Sequence, residues 1–256
     1  MGSDVKPSEY LEALSAYRVN PARTDHGKLT ALQPFLVLLD NVEKSSIALF
    51  DMATMGYAFL TANFRYLLGS GETAQGSPDM PYLFSRMHTD DRELFLDTSI
   101  QAFSYLNALD ASCRREYRTC QDFRILREDG KWIRLIQQML VIELDEDGNI
   151  WLVLIVNDLS PVRDQSIPGR RFMEHIPSKR RVLFPASEAA APSPLTKREL
   201  EILGLVSHGY PSSDIADFLG ISAVTVNNHR QNILSKLGAA NSAEAVSYAA
   251  SLGLMG

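Results

Sequence analysis

Two Asp-Gly dipeptides, Asp129-Gly130 and Asp147-Gly148, constrain this chain more than any other feature. Each separates long runs rich in apolar, β-branched and aromatic residues: YRTCQDFRILRE, then KWIRLIQQMLVIELD, then IWLVLIVNDL. Asp-Gly supplies the positive φ that a tight reversal demands, so the three runs fold back on one another as antiparallel neighbours. The last run is apolar at successive positions rather than alternate ones, the pattern of a strand covered on both faces.

Upstream, Ser46 to Met52 and Tyr57 to Asn63 read as two shorter strands turning near Gly56. Thr89 to Ala108 reads as a helix with Leu94, Ile100, Phe103 and Leu106 on its apolar side. Before them Pro7 to Tyr17 and Lys28 to Lys44 read as helices, the second with Leu29, Leu32, Leu36, Leu39 and Val42 on one stripe. Two strands, several helices, then three long strands predict an α+β domain around one five-stranded antiparallel sheet. The next stretch is proline-rich and weakly periodic, with basic clusters at Arg170-Arg171 and Lys179-Arg180-Arg181, and reads as a linker. The expected divisions are a helical extension (1–44), the sheet domain (45–160), the linker (161–194) and a C-terminal domain (195–256).

The formal net charge of −6 gives no global attraction to nucleic acid or to an anionic membrane, so any such binding needs a local patch. Cys113 and Cys120 form neither a disulfide framework nor a metal knuckle, which fits a reducing compartment. The N-terminus lacks the basic-then-apolar pattern of a signal peptide, and Ile150 to Val156 is far short of a membrane span. A cytoplasmic protein with no membrane partner is expected. Gly-rich phosphate loops, GxSxG and HExxH are absent, and the five histidines lack ligand spacing, so no enzyme, metal or cofactor is expected.

From Leu195 onward the chain is punctuated by helix caps. Thr196 with Glu199 makes a capping box, Ser212 or Ser213 can cap a second helix, Ser222 a third and Asn241 a fourth. Gly209, Gly220 and Gly238 provide the stops. Four short helices result, the second and third joined by Gly220-Ile221-Ser222 as a helix-turn-helix. At about 100° per residue, Val226, Ile233 and Leu237 fall within a narrow arc of the third helix. Asn228, Gln231, Asn232 and Ser235 lie broadly opposite, with Asn227 at the edge. The apolar arc anchors the helix, so the uncharged polar arc points outward. Asn and Gln each carry a donor and an acceptor at one tip, the pair that matches adenine N6 and N7 in the major groove.

This C-terminal segment resembles the LuxR-type (GerE-like) DNA-binding domain. The resemblance is carried by Leu195-Thr196-Lys197-Arg198-Glu199, Ile215-Ala216, Leu219, Ile221-Ser222, Thr225-Val226, His229, Ile233 and Lys236-Leu237-Gly238. It implies double-stranded DNA as partner, base contacts from Asn227, Asn228 and Gln231, and phosphate contacts from Thr225, His229 and Lys236. Arg230 lies nearer the apolar arc, where its stem packs while its head reaches a phosphate or an acid. The resemblance also implies homodimers paired through the fourth helix, at Ala243, Ala245, Ala249, Ala250 and Leu252. Two departures weaken the charge: Pro211-Ser212-Ser213-Asp214 lacks a lysine common before the second helix, and Ser242 stands where a basic residue often follows Asn241. The domain carries −1 overall, so weak binding by an isolated copy is expected.

The segment from about Ser45 to Ser160 resembles a PAS domain, on SSIALFDMATMGYAFLTANFRYLLG and on MHTDDREL at Met87 to Leu94. The family senses ligands or binds proteins with its sheet. Neither cysteine has a flavin-binding setting and no histidine lies within Thr89 to Ala108 to hold haem. A small apolar ligand, or none, remains, beside a protein partner on the sheet; Leu49, Tyr57, Phe59, Met139 and Leu154 are the candidate pocket residues, with ordinary core as the alternative. The expected function is a sequence-specific transcription regulator controlled by its sensor domain. The alternative is a PAS-based interaction adaptor with little DNA affinity.

Overall fold

The computed structural model describes residues 7–42, 46–68, 79–160, 169–184, 193–252 and 254–255. Contacts divide the chain into two units, one built from the residues up to Leu159 together with Gly169–Ala189, the other including everything from Ala190 onward.

The first unit opens with helices α1 (Pro7–Ser15) and α2 (His26–Val42). Strands β1 (Ser46–Asp51) and β2 (Gly56–Leu60) follow, then helices α3 (Ala62–Leu68), α4 (Met80–Arg86) and α5 (Thr89–Ala108). Three long strands complete the expected sheet: β3 (Tyr117–Leu126), β4 (Trp132–Leu144) and β5 (Ile150–Leu159). The Asp-Gly turns close both hairpins, with Gly130 at φ 78° and Gly148 at φ 87°. In the sheet β5 lies between β1 and β4, every pairing is antiparallel, and β5 is buried along most of its length. The order β2-β1-β5-β4-β3, with helices inserted between β2 and β3, is PAS-like, as the resemblance implies.

The sheet does not stop at five strands. β6 (Arg171–His175) and β7 (Arg180–Leu183) add to the β3 edge, giving the order β2-β1-β5-β4-β3-β6-β7. Both fall inside the stretch expected to be a linker, so the basic clusters at Arg170-Arg171 and Lys179-Arg181 belong to this unit. Gly169 makes the junction possible: a Cβ there would come within 2.7 Å of the Asp122 carbonyl oxygen. The linker pattern hides these strands because what makes them is backbone pairing to a distant edge, which leaves no periodicity in a short proline-flanked segment.

Buried charge ties the helices and the added strand to the sheet. His88 caps α5, and Asp91 accepts from the Arg124 backbone N–H at 2.7 Å and from its guanidinium at 2.9 and 2.7 Å. Arg134 Nη1 donates to Asp122 at 3.1 Å, and the Arg170 backbone N–H donates to the other oxygen of the same carboxylate. Burial pushes the Asp122 carboxyl up, against the pull of Arg134 and of the Arg170 N–H. On α2, Leu36 is buried and Leu29 and Leu32 pack on the core, whereas Leu39 is exposed. Val42 contributes to the helix only, since its side chain lies outside the described residues.

The second unit holds α6 (Lys197–Ser207), α7 (Ser212–Leu219), α8 (Ala223–Leu237) and α9 (Ser242–Ser251). Its core is Leu195, Ile202, Leu203, Ile215, Ala216, Val226, Ile233, Leu237, Ala245, Ala249 and Leu252. α8 packs on each of the other three helices. The capping box at Thr196 and Glu199 is complete, and Ser222 and Asn241 cap α8 and α9 as expected. α7 is different: Pro211 precedes it, and neither Ser212 nor Ser213 supplies a cap bond.

Candidate nucleic-acid interface and sensor cleft

Position along α8 decides which groups face out. Gly220 at φ 64° lets the chain turn from α7 into α8, and the Ile221 N–H closes the turn on the Ala216 carbonyl at 3.0 Å. Val226, Ile233 and Leu237 are then 0–2% exposed, which fixes the rotation of the helix. Asn228, Gln231, Asn232 and Ser235 are exposed on the far side. Among the described residues, nothing hydrogen-bonds to the side chains of Asn228, Gln231 or Asn232. Their donors and acceptors are free for an external partner.

Asn227 is exposed but engaged. Arg230 Nη1 donates to Ser212 Oγ at 3.1 Å, and Ser212 passes its own proton to Asn227 Oδ1 at 2.7 Å. The other end of the guanidinium, Nη2, donates to Ser242 Oγ at 3.0 Å. Arg230 therefore joins the starts of α7 and α9 across α8. Asn227 keeps its amide N–H groups, while Ser212 already donates to one lone pair of its oxygen, so the protein itself orients this amide.

Lys236 is exposed and also engaged. Its ammonium lies 2.7 Å from Glu199 Oε2, the oxygen that already accepts from the Thr196 N–H at 2.7 Å and hydroxyl at 2.9 Å. Burial would raise the Glu199 pKa, but the bonds from Lys236 and Thr196 outweigh it and hold the carboxyl below its usual range. Arg198 pairs with Glu201 at 2.7 Å and donates to the Leu219 carbonyl at 3.1 Å. Thr225 is half-buried with its hydroxyl 2.8 Å from Ser222 Oγ, and His229 is half-buried. Among the described residues of this unit, Lys197 is the cation without an ion pair or hydrogen bond.

The pairing face expected on the fourth helix is only partly available. Ala245, Ala249 and Leu252 are 0, 0 and 4% exposed within their own domain, leaving Ala243 and Ala250 outside. Period-3.6 spacing reveals that a stripe is apolar, not whether its cover comes from the same copy.

In the sheet unit, α5 and strands β3 to β5 line a small cleft, open at one side, whose free space is on the scale of a water molecule. Ala102, Phe103, Leu106, Tyr117, Met139 and Val153 supply most of its apolar wall, with Thr119 as a polar group. Of the five expected pocket residues only Met139 lines it. Leu49 is fully buried in the core, and Tyr57, Phe59 and Leu154 pack half-buried against that core. The sequence reading also missed a buried cross-strand amide ladder next to the cleft. Gln121 donates to Gln137 and Gln137 to Asn157, each at 3.1 Å, while Asn157 Nδ2 and Ser46 Oγ, on directly opposed residues, have no hydrogen-bond partner among the described residues. Opposed amides on neighbouring strands are a register effect, invisible until the strands are paired.

Residues 193–249 match the family model described as bacterial regulatory proteins, luxR family. Among solved structures, the chain is similar to a phage VqmA in complex with DPO, at 18% identity over 88% of each chain and a TM-score of 0.34. It is similar to the Vibrio cholerae VqmA dimer at 18% identity, over 86% of this chain and 88% of that one, with a TM-score of 0.32. A PAS domain from Colwellia psychrerythraea matches 50% of this chain and 96% of its own length, at 18% identity and a TM-score of 0.36. At such scores no residue role passes from those structures to this chain.

Proposed function

We propose that this chain, which carries a luxR-family helix-turn-helix domain at residues 193–249, is a DNA-sequence-specific transcription regulator governed by its PAS-like unit. One observation carries the reading: α8 is anchored by a buried apolar arc and presents an opposite arc of unpartnered uncharged amides. Such an arc gains nothing from solvation that lysines and glutamates would not supply better, and it matches the hydrogen-bonding edges of bases. Asn228 and Gln231 contact base edges through both donor and acceptor. Asn227 contacts a base edge chiefly through its amide N–H groups, because Ser212 already donates to its oxygen. The Thr225 hydroxyl, the His229 ring and the remaining protons of the Lys236 ammonium contact phosphates, while Arg230 holds the helices in place.

The sensor cleft has the mostly apolar character of small-molecule pockets but is far smaller than they are. It holds a small, largely apolar ligand or transmits the docking of a protein partner. The regulator acts as a homodimer in the cytoplasm and performs no chemistry. α2 supports pairing, because Phe35 and Leu38 are 66 and 60% exposed on a helix whose opposite side is already packed. Two readers on adjacent half-sites raise affinity through effective concentration, which a domain of −1 charge needs.

The engaged state of Arg198, Arg230 and Lys236 favours a second reading, an adaptor that binds protein through its sheet and DNA hardly at all. Selection of random DNA duplexes by the full chain separates the two. Enrichment of one site, with affinity that falls as salt rises, supports the regulator. A folded protein that enriches no sequence overturns it and leaves the adaptor.

A further inference from the structure

Val224 is the one apolar residue among the exposed groups at the centre of the outward arc of α8. It occupies the second position of the helix after the Ser222 cap and is 69% exposed. At about 100° per residue it points in nearly the same direction as Asn228 and Gln231, one and two turns further on. From Val224 to Gln231 the helix rises about 10.5 Å, close to three base-pair steps. A β-branched side chain is a poor helix former, and at this exposure it gains nothing from the domain's own core. The capped end of α8 is also the end that leads into a groove, since the first residues of a recognition helix reach base edges.

From this placement we infer that Val224 is a specificity residue that packs on the C5-methyl group of a thymine. That methyl is the one apolar feature among the base edges of the major groove. The stripe then reads DNA by two kinds of contact, apolar at its first turn and hydrogen-bonding at the next two. The inference rests on the DNA-reading function proposed above.

The test uses the full chain and the duplex it selects from a random pool. Each thymine of that duplex is replaced singly by uracil, which removes the methyl and keeps every hydrogen-bonding group. One replacement should weaken the parent about fourfold, the factor that corresponds to one buried methyl. Val224→Ser should bind the thymine and uracil forms of that site equally, and Val224→Thr, which keeps one methyl and the shape, should retain a smaller effect. Helicity and melting should match the parent for both variants, because the side chain is exposed. A parent that selects a site and loses affinity on Gln231→Ala, yet tolerates every uracil, overturns the Val224 assignment alone. Equal uracil sensitivity in the parent and Val224→Ser overturns it too. A folded parent that selects no site overturns the DNA-reading function and this contact with it.

Discussion

In the sheet unit the charged groups that matter sit inside: Asp122 against Arg134, with side chains 4 and 0% exposed, and Asp91 against Arg124, at 4 and 12%. On α8 of the helical unit the groups that matter sit outside, carry no charge and have no hydrogen-bond partner among the described residues: Asn228, Gln231 and Asn232. The difference separates residues that hold a shape from residues that await a partner. A buried ion pair is committed, since removing one member strands the other in a low-dielectric interior. An exposed amide is uncommitted, and its loss matters only when something else is bound. Between these extremes stand Asn227 and Lys236, exposed, and Arg230, half-buried, each already partly occupied by the protein itself.

The largest expected effect breaks the committed side. Asp122→Ala leaves Arg134 buried without its carboxylate and should destabilise the sheet unit by about 3–5 kcal/mol. Both tryptophans, Trp132 and Trp151, lie in that unit, so urea unfolding followed by tryptophan fluorescence reads it selectively. An unchanged midpoint would show that the pair is not committed. Next, Gln231→Ala or Asn228→Ala should weaken binding to the selected DNA site by about 1–3 kcal/mol. The melting temperature should stay put. A variant that unfolds, or that binds as the parent does, removes the contrast.

Smaller effects sharpen the intermediate class. Glu199→Gln weakens the bond to Lys236 and should lower helical-unit stability by about 1 kcal/mol, since Lys236 is half in solvent. The Glu199 carboxyl has its pKa depressed in the folded state. Its contribution is therefore present at neutral pH and is lost as pH falls through and below the ordinary glutamate range. A circular-dichroism melt of the parent should fall in that window, and the Glu199→Gln variant should show a shallower fall; identical pH profiles would contradict the pairing. Ser212→Ala removes the hydrogen bonds to Arg230 and Asn227 and should cost no more than about 1 kcal/mol of stability. It leaves the Asn227 oxygen wholly available, so the selected site should shift toward adenine at the base pair Asn227 reads. An unchanged preference would show that Asn227 reads no base.

How far the molecule could be read in advance depends on the range of the interaction. Turns and caps involve residues two to four apart, and the Asp-Gly hairpins, the Thr196–Glu199 box and the Ser222 and Asn241 caps all stand where their residues place them. Val224 was within reach of the same periodicity that marked Asn228 and Gln231. It carries no hydrogen-bonding group, so a polar pattern on that arc does not mark it.

The sequence by itself determined the hairpin order, the four helices with their stops, and which arc of α8 turns outward, because each follows from local geometry or a 3.6-residue period. Tertiary structure alone decided that a proline-flanked stretch would lengthen the sheet by two strands, since pairing to the β3 edge uses backbone groups every residue owns. It also decided which polar side chains remain available. Ser212 and Asn227 are 15 positions apart, and Glu199 and Lys236 are 37 apart. Those pairs meet only when the helices have packed, and no spacing along the chain records which donors packing will consume.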